Sequence, residues 1–504
     1  MSRFKITILP DKRVVTAQEG ASILSVLQAS DAPVDAPCGG NGACGKCRCL
    51  IDGVPRLACR SFVERDCTVM PLVSFDANIL TEGVCVPKRT DGTNRYVLAF
   101  DVGTTTVVGY LLDGRSCEVL SMASRLNPQT AYGSDVISRI QYVMEHLDSD
   151  ALHHCILECL SELGEELARR ANISLSMVTC ACIAGNTAMH HLLLGIDPAP
   201  LTVPPYMPAC LQQLELPAGE LLPINPAGTI RLLPNIAGFV GGDTVACMAA
   251  TAFDELDELT LMIDIGTNGE IVLGDRHRRI ACSSAAGPAF EGAKIQHGMR
   301  GACGAISHVT LNEDGFDCAV IGGGDAVGIC GSGLLDAVWA MCKAGMVEES
   351  GRMDETSGDP ALWGCIDGMK AVRLTADVWL TQKDIRELQL AKAAIRAGIE
   401  LLLRQYHAEP QDVRQVYLAG AFGSFLSPEA ACGLGMIPAA FLEKIRPIGN
   451  AAGMGAQLCA LDRSAFVHTG EMARQTEFLE LAGMPEFQEL YVDCLAFGDD
   501  VYGE

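Results

Sequence analysis

Residues 96–113, YVLAFDVGTTTVVGYLLD, and residues 259–275, LTLMIDIGTNGEIVLGD, repeat one pattern within a single chain. In each, a short apolar run delivers an aspartate, a Gly-Thr turn follows, and a second apolar run leads away. At an offset of 163 residues Asp101 falls on Asp264, Gly103 on Gly266, Thr104 on Thr267 and Val108 on Ile271. Apolar runs on both sides of a glycine turn predict a β-hairpin inside a buried sheet, and the repetition predicts an internal duplication. Such a turn directs backbone N–H groups and hydroxyls at an anion, and its aspartate can hold Mg²⁺ or a Mg²⁺-bound water. Two of them face to face would clamp a polyphosphate.

A third string supports the same chemistry. VRQVYLAGAFGSFLSP (413–428) sets Gly420, Ala421 and Gly423 after an apolar strand, where missing side chains let a flat adenine or ribose approach. Alone it reads equally well as a tight strand-to-helix turn. Beside the paired hairpins it points to a nucleotide, expected to be ATP with Mg²⁺.

Upstream, CGGNGACGKCRCLIDGVPRLAC (38–59) spaces Cys38, Cys44, Cys47 and Cys59 as C-x5-C-x2-C-x11-C. That is close to the plant-type arrangement for a 2Fe–2S cluster, in which three cysteines share a loop and a fourth follows. The glycines between them bring backbone N–H groups near the cluster sulfurs. The alternatives are a zinc site, although those more often pair two C-x2-C units, or a set of unrelated thiols in a chain with 23 cysteines. Cys49 and Cys67 fall outside the pattern and read as buried small apolar residues. KITILP (5–10) and RVVTA (13–17) predict a hairpin, and ASILSVLQAS (21–30) a short helix. Residues 1–75 resemble the β-grasp fold of plant-type ferredoxins.

The chain has 504 residues, 49% of them hydrophobic and 20% charged, so large buried cores are expected. No uninterrupted apolar run approaches the roughly 18 residues of a membrane span, and MSRFKITILPDKRVV (1–15) lacks the apolar centre of a secretion signal. The cytoplasm is the expected location, without a membrane partner. Most of the 23 cysteines sit singly in apolar contexts, such as HHCILECLSEL (153–163). They read as reduced thiols of a reducing, anaerobic cytoplasm. The net charge of −25 argues against nucleic acid, whose phosphates demand a basic footprint. Residues 1–75 carry nine Lys or Arg against seven Asp or Glu, so the acidic excess lies downstream. Lys46, Arg48, Arg56 and Arg60 beside the cysteines either offset an anionic cluster and steer docking, or are ordinary surface charge.

Three parts are expected: a 2Fe–2S domain over 1–75, a linker over 76–95, and a two-lobe domain over 96–504 that divides near residue 255. SFDANILTEGVCVPKRTDGTNR (74–95) has little periodicity, and a tether of about twenty residues would let the small domain reach more than one surface. The fold class is α/β, a β-grasp 2Fe–2S domain followed by a duplicated two-lobe, actin-like ATPase fold.

Hairpin, hairpin and AGAFG string, in that order, resemble the acetate kinase, sugar kinase, heat-shock chaperone and actin superfamily. The resemblance narrows with NPQTAYGSDVISRI (127–140), CIAGNTAMHHLLLGIDP (182–198), VPPYMP (203–208), IAGFVGGDTVA (236–246), GICGSGLLDAV (328–338), LAGAFGSFL (418–426) and FLELAGMPEFQELYVDCLAFGDD (478–500). With the N-terminal cysteine loop, these resemble the ATP-dependent reductive activases of corrinoid proteins over nearly the whole chain. That resemblance implies an ATP-hydrolysing enzyme that returns cobalt(II) to cobalt(I) for methyl transfer. Its partners would be the corrinoid protein of a methyltransferase system and an electron donor that the sequence does not identify. The oligomeric state stays open, a homodimer included. It further implies a first phosphate loop of Asp101, Gly103, Thr104 and Thr105, a second of Asp264, Gly266, Thr267 and Asn268, and an adenosine contact through Gly420, Ala421 and Gly423. Some members carry a further domain between cluster domain and lobes, for which the present linker leaves no room.

Several polar residues have two readings. Glu270 either positions an attacking water, as a catalytic residue beside Asp101 and Asp264, or is a strand-surface charge. Asn186 and Thr187 either touch phosphate or line the cleft. Gly331, Ser332 and Gly333 form a nucleotide turn or a helix start packed on a sheet. His190 and His191 read as satisfied core or interface groups. Other functions in view are an activator of a radical dehydratase or aryl-CoA reductase, a redox-regulated small-molecule kinase, and a redox-sensing interaction protein.

Overall fold

A computed structural model describes residues 3–9, 12–30, 32, 47–71, 89–146, 149–312 and 315–498. Cys38 and Cys44, and most of the expected linker, lie outside the described residues. The chain divides into two compact units, residues 1–78 with 128–148, and residues 79–127 with 149–504.

In the first unit, β1 (Arg3–Ile8) and β2 (Arg13–Gln18) form the expected antiparallel hairpin, and α1 (Ile23–Gln28) follows, capped by the Ser22 side chain. Then come β3 (Arg48–Ile51), β4 (Val54–Leu57) and β5 (Cys67–Pro71), giving one sheet in the order β2-β1-β5-β3-β4. The period-2 alternation of β1 turns Ile6 and Ile8 inward, where they meet Ile23 and Leu27 of α1, Val69 of β5 and the buried Cys47 and Cys49. This unit also contains α2 (Val136–His146).

The second unit is built on two six-stranded sheets. The first has β6 (Tyr96–Val102), β7 (Thr106–Asp113), β8 (Val119–Leu126), β9 (Val178–Gly185), β10 (Leu214–Pro217) and β11 (Thr229–Leu232), in the order β10-β11-β9-β6-β7-β8. In chain order α3 (Asp150–Arg170) and α4 (Thr187–Leu193) accompany these strands, and α5 (Gly242–Ala250) follows them. The second sheet starts with β12 (Thr260–Ile265), β13 (Gly269–Gly274) and β14 (Arg279–Ser284). An inserted sheet of β15 (Ala305–Asn312), β16 (Gly315–Val320) and β17 (Gly328–Ile329) precedes α6 (Gly331–Lys343). A meander of β18 (Trp363–Ile366), β19 (Met369–Arg373) and β20 (Trp379–Thr381) leads into α7 (Gln382–Tyr406), whose start is fixed by a Thr381–Asp384 capping box.

The chain returns through β21 (Gln415–Ala419), α8 (Gly420–Phe425), α9 (Pro428–Gly433) and β22 (Ile445–Gly449), and ends with α10 (Ala451–Leu461), α11 (Arg463–Gln475), β23 (Thr476–Phe478) and α12 (Pro485–Asp493). The second sheet runs β22-β21-β12-β13-β14-β23.

The duplication is visible in this topology. The runs β8-β7-β6-β9-β11 and β14-β13-β12-β21-β22 have the same order, antiparallel through the first three strands and parallel through the rest. Each sheet then gains one edge strand of its own, β10 or β23. Between the sheets α5 and α10 share an apolar layer that includes Val97 and Ala99 of β6 and Met262 and Val272 of the second sheet. The two helices approach so closely that a Cβ at Gly455 would fall 2.0 Å from the Ala246 carbonyl oxygen.

The last residues of the expected linker are fastened to this unit. The Asp91 N–H donates to Leu461 O, the Arg463 N–H donates to Asp91 Oδ2 at 3.0 Å, and Arg89 pairs with Asp462 at 2.5 Å. Among the described residues no helix is long and apolar enough to cross a membrane.

Candidate functional site

Both repeated strings are β-hairpins, β6–β7 and β12–β13, but with loops of unequal length. Val102 pairs with Val107 in the first, and Ile265 with Gly269 in the second. One residue fewer in the second loop shifts the returning strand, so Asp101 lies opposite Val108 whereas Asp264 lies opposite Glu270. The ungapped equivalence of Val108 with Ile271 is thereby corrected: the counterpart of Val108 is Glu270. Because directly paired residues of antiparallel strands share a face, Glu270 stands on the same side of the sheet as Asp264.

A third aspartate joins them. Asp243 is in the first turn of α5, behind Gly241 and Gly242. Burial holds the carboxyls of Asp101 and Asp264 up at about 7, and the Asp243 charge adds to the effect on each. Burial also raises Asp243, and it raises Glu270, on which the Asp243 and Asp264 charges act further. Cys247, one helical turn after Asp243, feels Asp264, Asp243, Asp101 and Glu270 together, so the four carboxylates converge on one region. Each keeps an accessible edge while the surrounding protein removes most of its hydration. Among the described residues no group of three or more His, Cys, Asp or Glu side chains could hold a metal ion. Like-charged, desolvated carboxylates nonetheless call for a cation, and phosphate oxygens would supply its remaining ligands.

The first loop is braced from behind. The Gly103 N–H donates to Thr106 O at 2.9 Å, the buried Asn127 donates through Nδ2 to Gly103 O at 2.9 Å, and the Asn127 N–H donates to Thr105 O. Asn186 caps α4 by accepting from the Met189 N–H, and its Nδ2 donates to Thr104 Oγ1 at 3.0 Å. Thr187 donates instead to Ala237 O at 2.6 Å. Asn450 caps α10, donates to the Tyr110 hydroxyl oxygen and hydrogen-bonds Asp101. In the second loop the Gly266 N–H donates to Asn268 O. Glu291 links the two loops, accepting from Thr267 Oγ1 at 2.5 Å and from Thr105 Oγ1 at 3.3 Å.

Gly420 sits at the end of β21, which pairs with β12. Its φ is +80°, and a Cβ there would lie 2.6 Å from Asp264 Oδ1. Its bare backbone makes room for that carboxylate. Gly423 lies against the end of its own strand, where a Cβ would meet Leu418 at 3.2 Å, and the ring between them, Phe422, stacks on Phe290. Ala421 is the second residue of α8, between Gly420 and Phe422. At the start of α6, a Cβ on Gly331 would meet Phe290 O at 2.2 Å and one on Gly333 would meet Ile306 O at 2.3 Å, while Ser332 donates to Ser307 O. His191 is satisfied at both ring nitrogens, by Thr187 O and by the Ala209 N–H. His190 differs: Asn235 Nδ2 donates to its Nδ1, and its buried Nε2 has no partner among the described residues.

Asp243, Glu291, Asn127 and Asn450 were not singled out as site residues from the sequence. An acid placed behind a glycine pair at a helix start marked Asp243, and a glutamate between glycine turns in GPAFEGA (287–293) marked Glu291. The two asparagines carry no local signal.

Of the four expected cluster ligands, Cys47 and Cys59 are described. Cys47 is fully buried, Cys59 is half-buried at a turn of 3₁₀ helix, and the Cys59 N–H donates to Cys47 Sγ at 3.4 Å. A backbone donor aimed at a ligand sulfur fits an iron–sulfur site. Cys49 faces the core and burial pushes its thiol up to about 11, as for an apolar residue; burial also raises the Cys67 thiol.

Comparison with known proteins agrees across the chain. Residues 6–66 match the 2Fe-2S iron-sulfur cluster binding domain, residues 96–256 the RACo middle region, and residues 258–501 the C-terminal domain of RACo, described as the ASKHA domain. The corrinoid activation enzyme RamQ of Eubacterium limosum is 37% identical over 432 residues, 82% of this chain and 72% of RamQ. The [Co(II) methylated amine-specific corrinoid protein] reductase of Methanosarcina barkeri is 25% identical, covering 80% of this chain and 77% of that one. A solved structure, the reductive activator for corrinoid,iron-sulfur protein, superposes with a TM-score of 0.73 at 29% identity and covers 98% of both chains. A 2Fe–2S-binding domain, a middle region and an ASKHA domain thus follow one another in this polypeptide, and the chain belongs to the RACo family.

Proposed function

We propose that this protein is an ATP-dependent reductive activator that returns the cobalt(II) of a corrinoid protein to cobalt(I). The observation that carries this reading is the end-to-end likeness to an activator of known structure together with the four carboxylates that converge where the duplicated hairpins meet α5. Cys38, Cys44, Cys47 and Cys59 would hold a 2Fe–2S cluster, which supplies electrons one at a time. Thr104, Thr105, Thr267 and Asn268, with the backbone of Gly103 and Gly266, would hold the phosphates. Asp101 and Asp264 would position Mg²⁺ through its waters, and the Gly420-Ala421-Gly423 turn would border the adenosine. Glu270, raised by burial and paired with Asp264 across the strands, would accept a proton from an attacking water. The division into a cluster domain over 1–75, a linker and two lobes goes with this reading, as do a cytoplasmic setting, a separate electron donor and the option of a homodimer.

Energetics explain why a nucleotide is needed. For one electron 100 mV corresponds to about 2.3 kcal/mol. A ligand that moves an equilibrium from 1:99 to 99:1 supplies about 5.5 kcal/mol, which offsets roughly 240 mV of an uphill reduction. Lobe closure on nucleotide would grip the corrinoid partner and disturb the axial ligation of cobalt, and hydrolysis would reset the grip. Anaerobic mixing of the reduced protein with a cobalt(II) corrinoid protein, followed by visible absorption, tests this. Cobalt(I) should accumulate with Mg·ATP and not with Mg·ADP, and a Cys47→Ala variant should hydrolyse ATP without producing cobalt(I). Equal cobalt(I) formation with and without ATP would refute the coupling. A phosphorylated small-molecule product would favour the kinase alternative.

A further inference from the structure

Glu291 occupies a position that the nucleotide reading leaves without a task. Its carboxylate bridges the two loops, taking the hydroxyl of Thr267 on one oxygen at 2.5 Å and that of Thr105 on the other at 3.3 Å. The shorter contact lies in the range of a charge-assisted O–H···O⁻ bond. These two threonines belong to the two phosphate loops, one from each sheet.

The placement of Glu291 is built in from both sides. The preceding Phe290 stacks on Phe422 of α8 with ring centroids 4.4 Å apart, and its carbonyl oxygen closes on the bare Cα of Gly331 at the start of α6. The following Gly292 has φ +78°, and a Cβ there would fall 2.5 Å from the Met299 nitrogen. A left-handed backbone with no room for a side chain admits glycine alone. The Glu291 N–H and the Gly292 N–H donate back to Pro288 O and Ala289 O, closing a tight turn. The turn is therefore anchored to both the strand-to-helix element after β21 and the helix after β17.

A threonine hydroxyl has one proton to donate. A phosphate oxygen that takes the hydroxyl of Thr105 or Thr267 must take it from Glu291, and two anions cannot share the space without repulsion. We infer that the Glu291 carboxylate and the terminal phosphate of the nucleotide are rival acceptors for the same two hydroxyls, so that Glu291 lowers nucleotide affinity and lets go as the phosphate enters. This rests on the proposed nucleotide site. Glu291 thereby acts as a resident phosphate mimic, tying the loops of the two lobes together until the phosphate replaces it.

Calorimetric titration of the full chain, in Mg²⁺, with AMP, ADP and a non-hydrolysable ATP analogue tests the inference on wild type, Glu291→Ala and Glu291→Gln. Glu291→Ala should bind the ATP analogue about tenfold more tightly than wild type, the value of losing one well-placed competing acceptor, with a smaller gain for ADP and none for AMP. Glu291→Gln, which keeps shape and one acceptor but no charge, should fall between, and it decides the matter if the alanine variant does not fold. Unchanged or weaker binding of the ATP analogue by the variants overturns the inference and leaves the nucleotide site standing. A gain as large for AMP as for the ATP analogue also overturns it, because the effect then lies away from the terminal phosphate. Failure of wild type to bind any of the three removes the nucleotide site itself and the inference with it.

Discussion

The two repeated hairpins differ in loop length by a single residue. In β6–β7 a longer loop sets Val108 opposite Asp101, and the loop is held from outside by Asn127, Asn186 and, through Asp101, Asn450. In β12–β13 the loop is one residue shorter, and the pairing brings a second acid, Glu270, opposite Asp264. The first hairpin is thus a braced holder, and the second carries an extra group able to exchange a proton. Duplication alone would make two equivalent hairpins; the shortened loop makes one of them chemically different.

The largest effects should come from the carboxylates, and they should separate the hairpins. Asp101→Asn and Asp264→Asn should each lower ATP hydrolysis by more than about a hundredfold, in keeping with electrostatic roles at a phosphoryl-transfer centre. Glu270→Gln should lower kcat by about a hundredfold with KM for ATP little changed, as for loss of a general base. Steady-state kinetics read all three. Hydrolysis within twofold of wild type in Glu270→Gln would reduce Glu270 to a strand charge and erase the proposed difference.

A smaller but opposite pair of effects lies in the loop glycines. A Cβ on Gly103 would fall 2.9 Å from the Thr106 carbonyl oxygen, whereas one on Gly266 would meet only the Asn268 oxygen, at 3.8 Å. Gly103→Ala must shift backbone and should cost about 1–3 kcal/mol of stability. Gly266→Ala should be neutral or gain up to about 1 kcal/mol from a less flexible unfolded chain. Denaturant unfolding of the nucleotide-free variants decides it, and equal destabilisation by both would contradict the unequal space around the two loops.

Much of this architecture could be read in advance, because hairpins and cluster loops are local. Short apolar runs, tight turns and cysteine spacing mark β1–β2, β6–β7, β12–β13 and the 2Fe–2S segment within windows of about twenty residues. What escaped reading depends on pairing across the chain. The Val108–Glu270 equivalence depends on a one-residue difference that appears only in strand register, and register moves every side chain to the other face. Glu291 acquires a role only when two loops from separate sheets reach it. Asp243 lies in a string already singled out for its resemblance, yet nothing local says that α5 aims it at Asp264. At the AGAFG turn the structure adds a constraint that no local pattern shows, since the bare backbone of Gly420 makes room for the Asp264 carboxylate.

The smallest effect concerns stability, and its sign follows from the same desolvated carboxylates. Asp101 and Asp264 are held at about 7, against about 3.9 in an unfolded chain. Between those values the folded protein binds the extra protons, so these groups favour folding fully below about pH 4 and lose that contribution as pH rises through 7. Carboxyls held low by hydrogen bonds and ion pairs, such as Glu166 and Glu215, act in the opposite sense, but only in the acid range. His190 and His191, held below the usual histidine value by burial, act chiefly under about pH 6.5. From pH 6.5 to 8 the nucleotide-free protein should therefore lose on the order of 1 kcal/mol through Asp101 and Asp264, an upper figure for this pair because each carboxylate keeps an edge in water; Glu270 and Asp243, also raised by burial, act in the same sense. Lys392, lowered to about 8 by burial, opposes this near the top of the window, so the comparison has to be made between variants. Asp264→Asn should show roughly half the loss attributed to the pair, and saturating Mg·nucleotide should flatten the wild-type profile by supplying the cation that the carboxylates lack. Parallel stability profiles for wild type and Asp264→Asn would mean that the second hairpin's aspartate is already solvated, and the chemical distinction between the two loops would then rest on Glu270 alone.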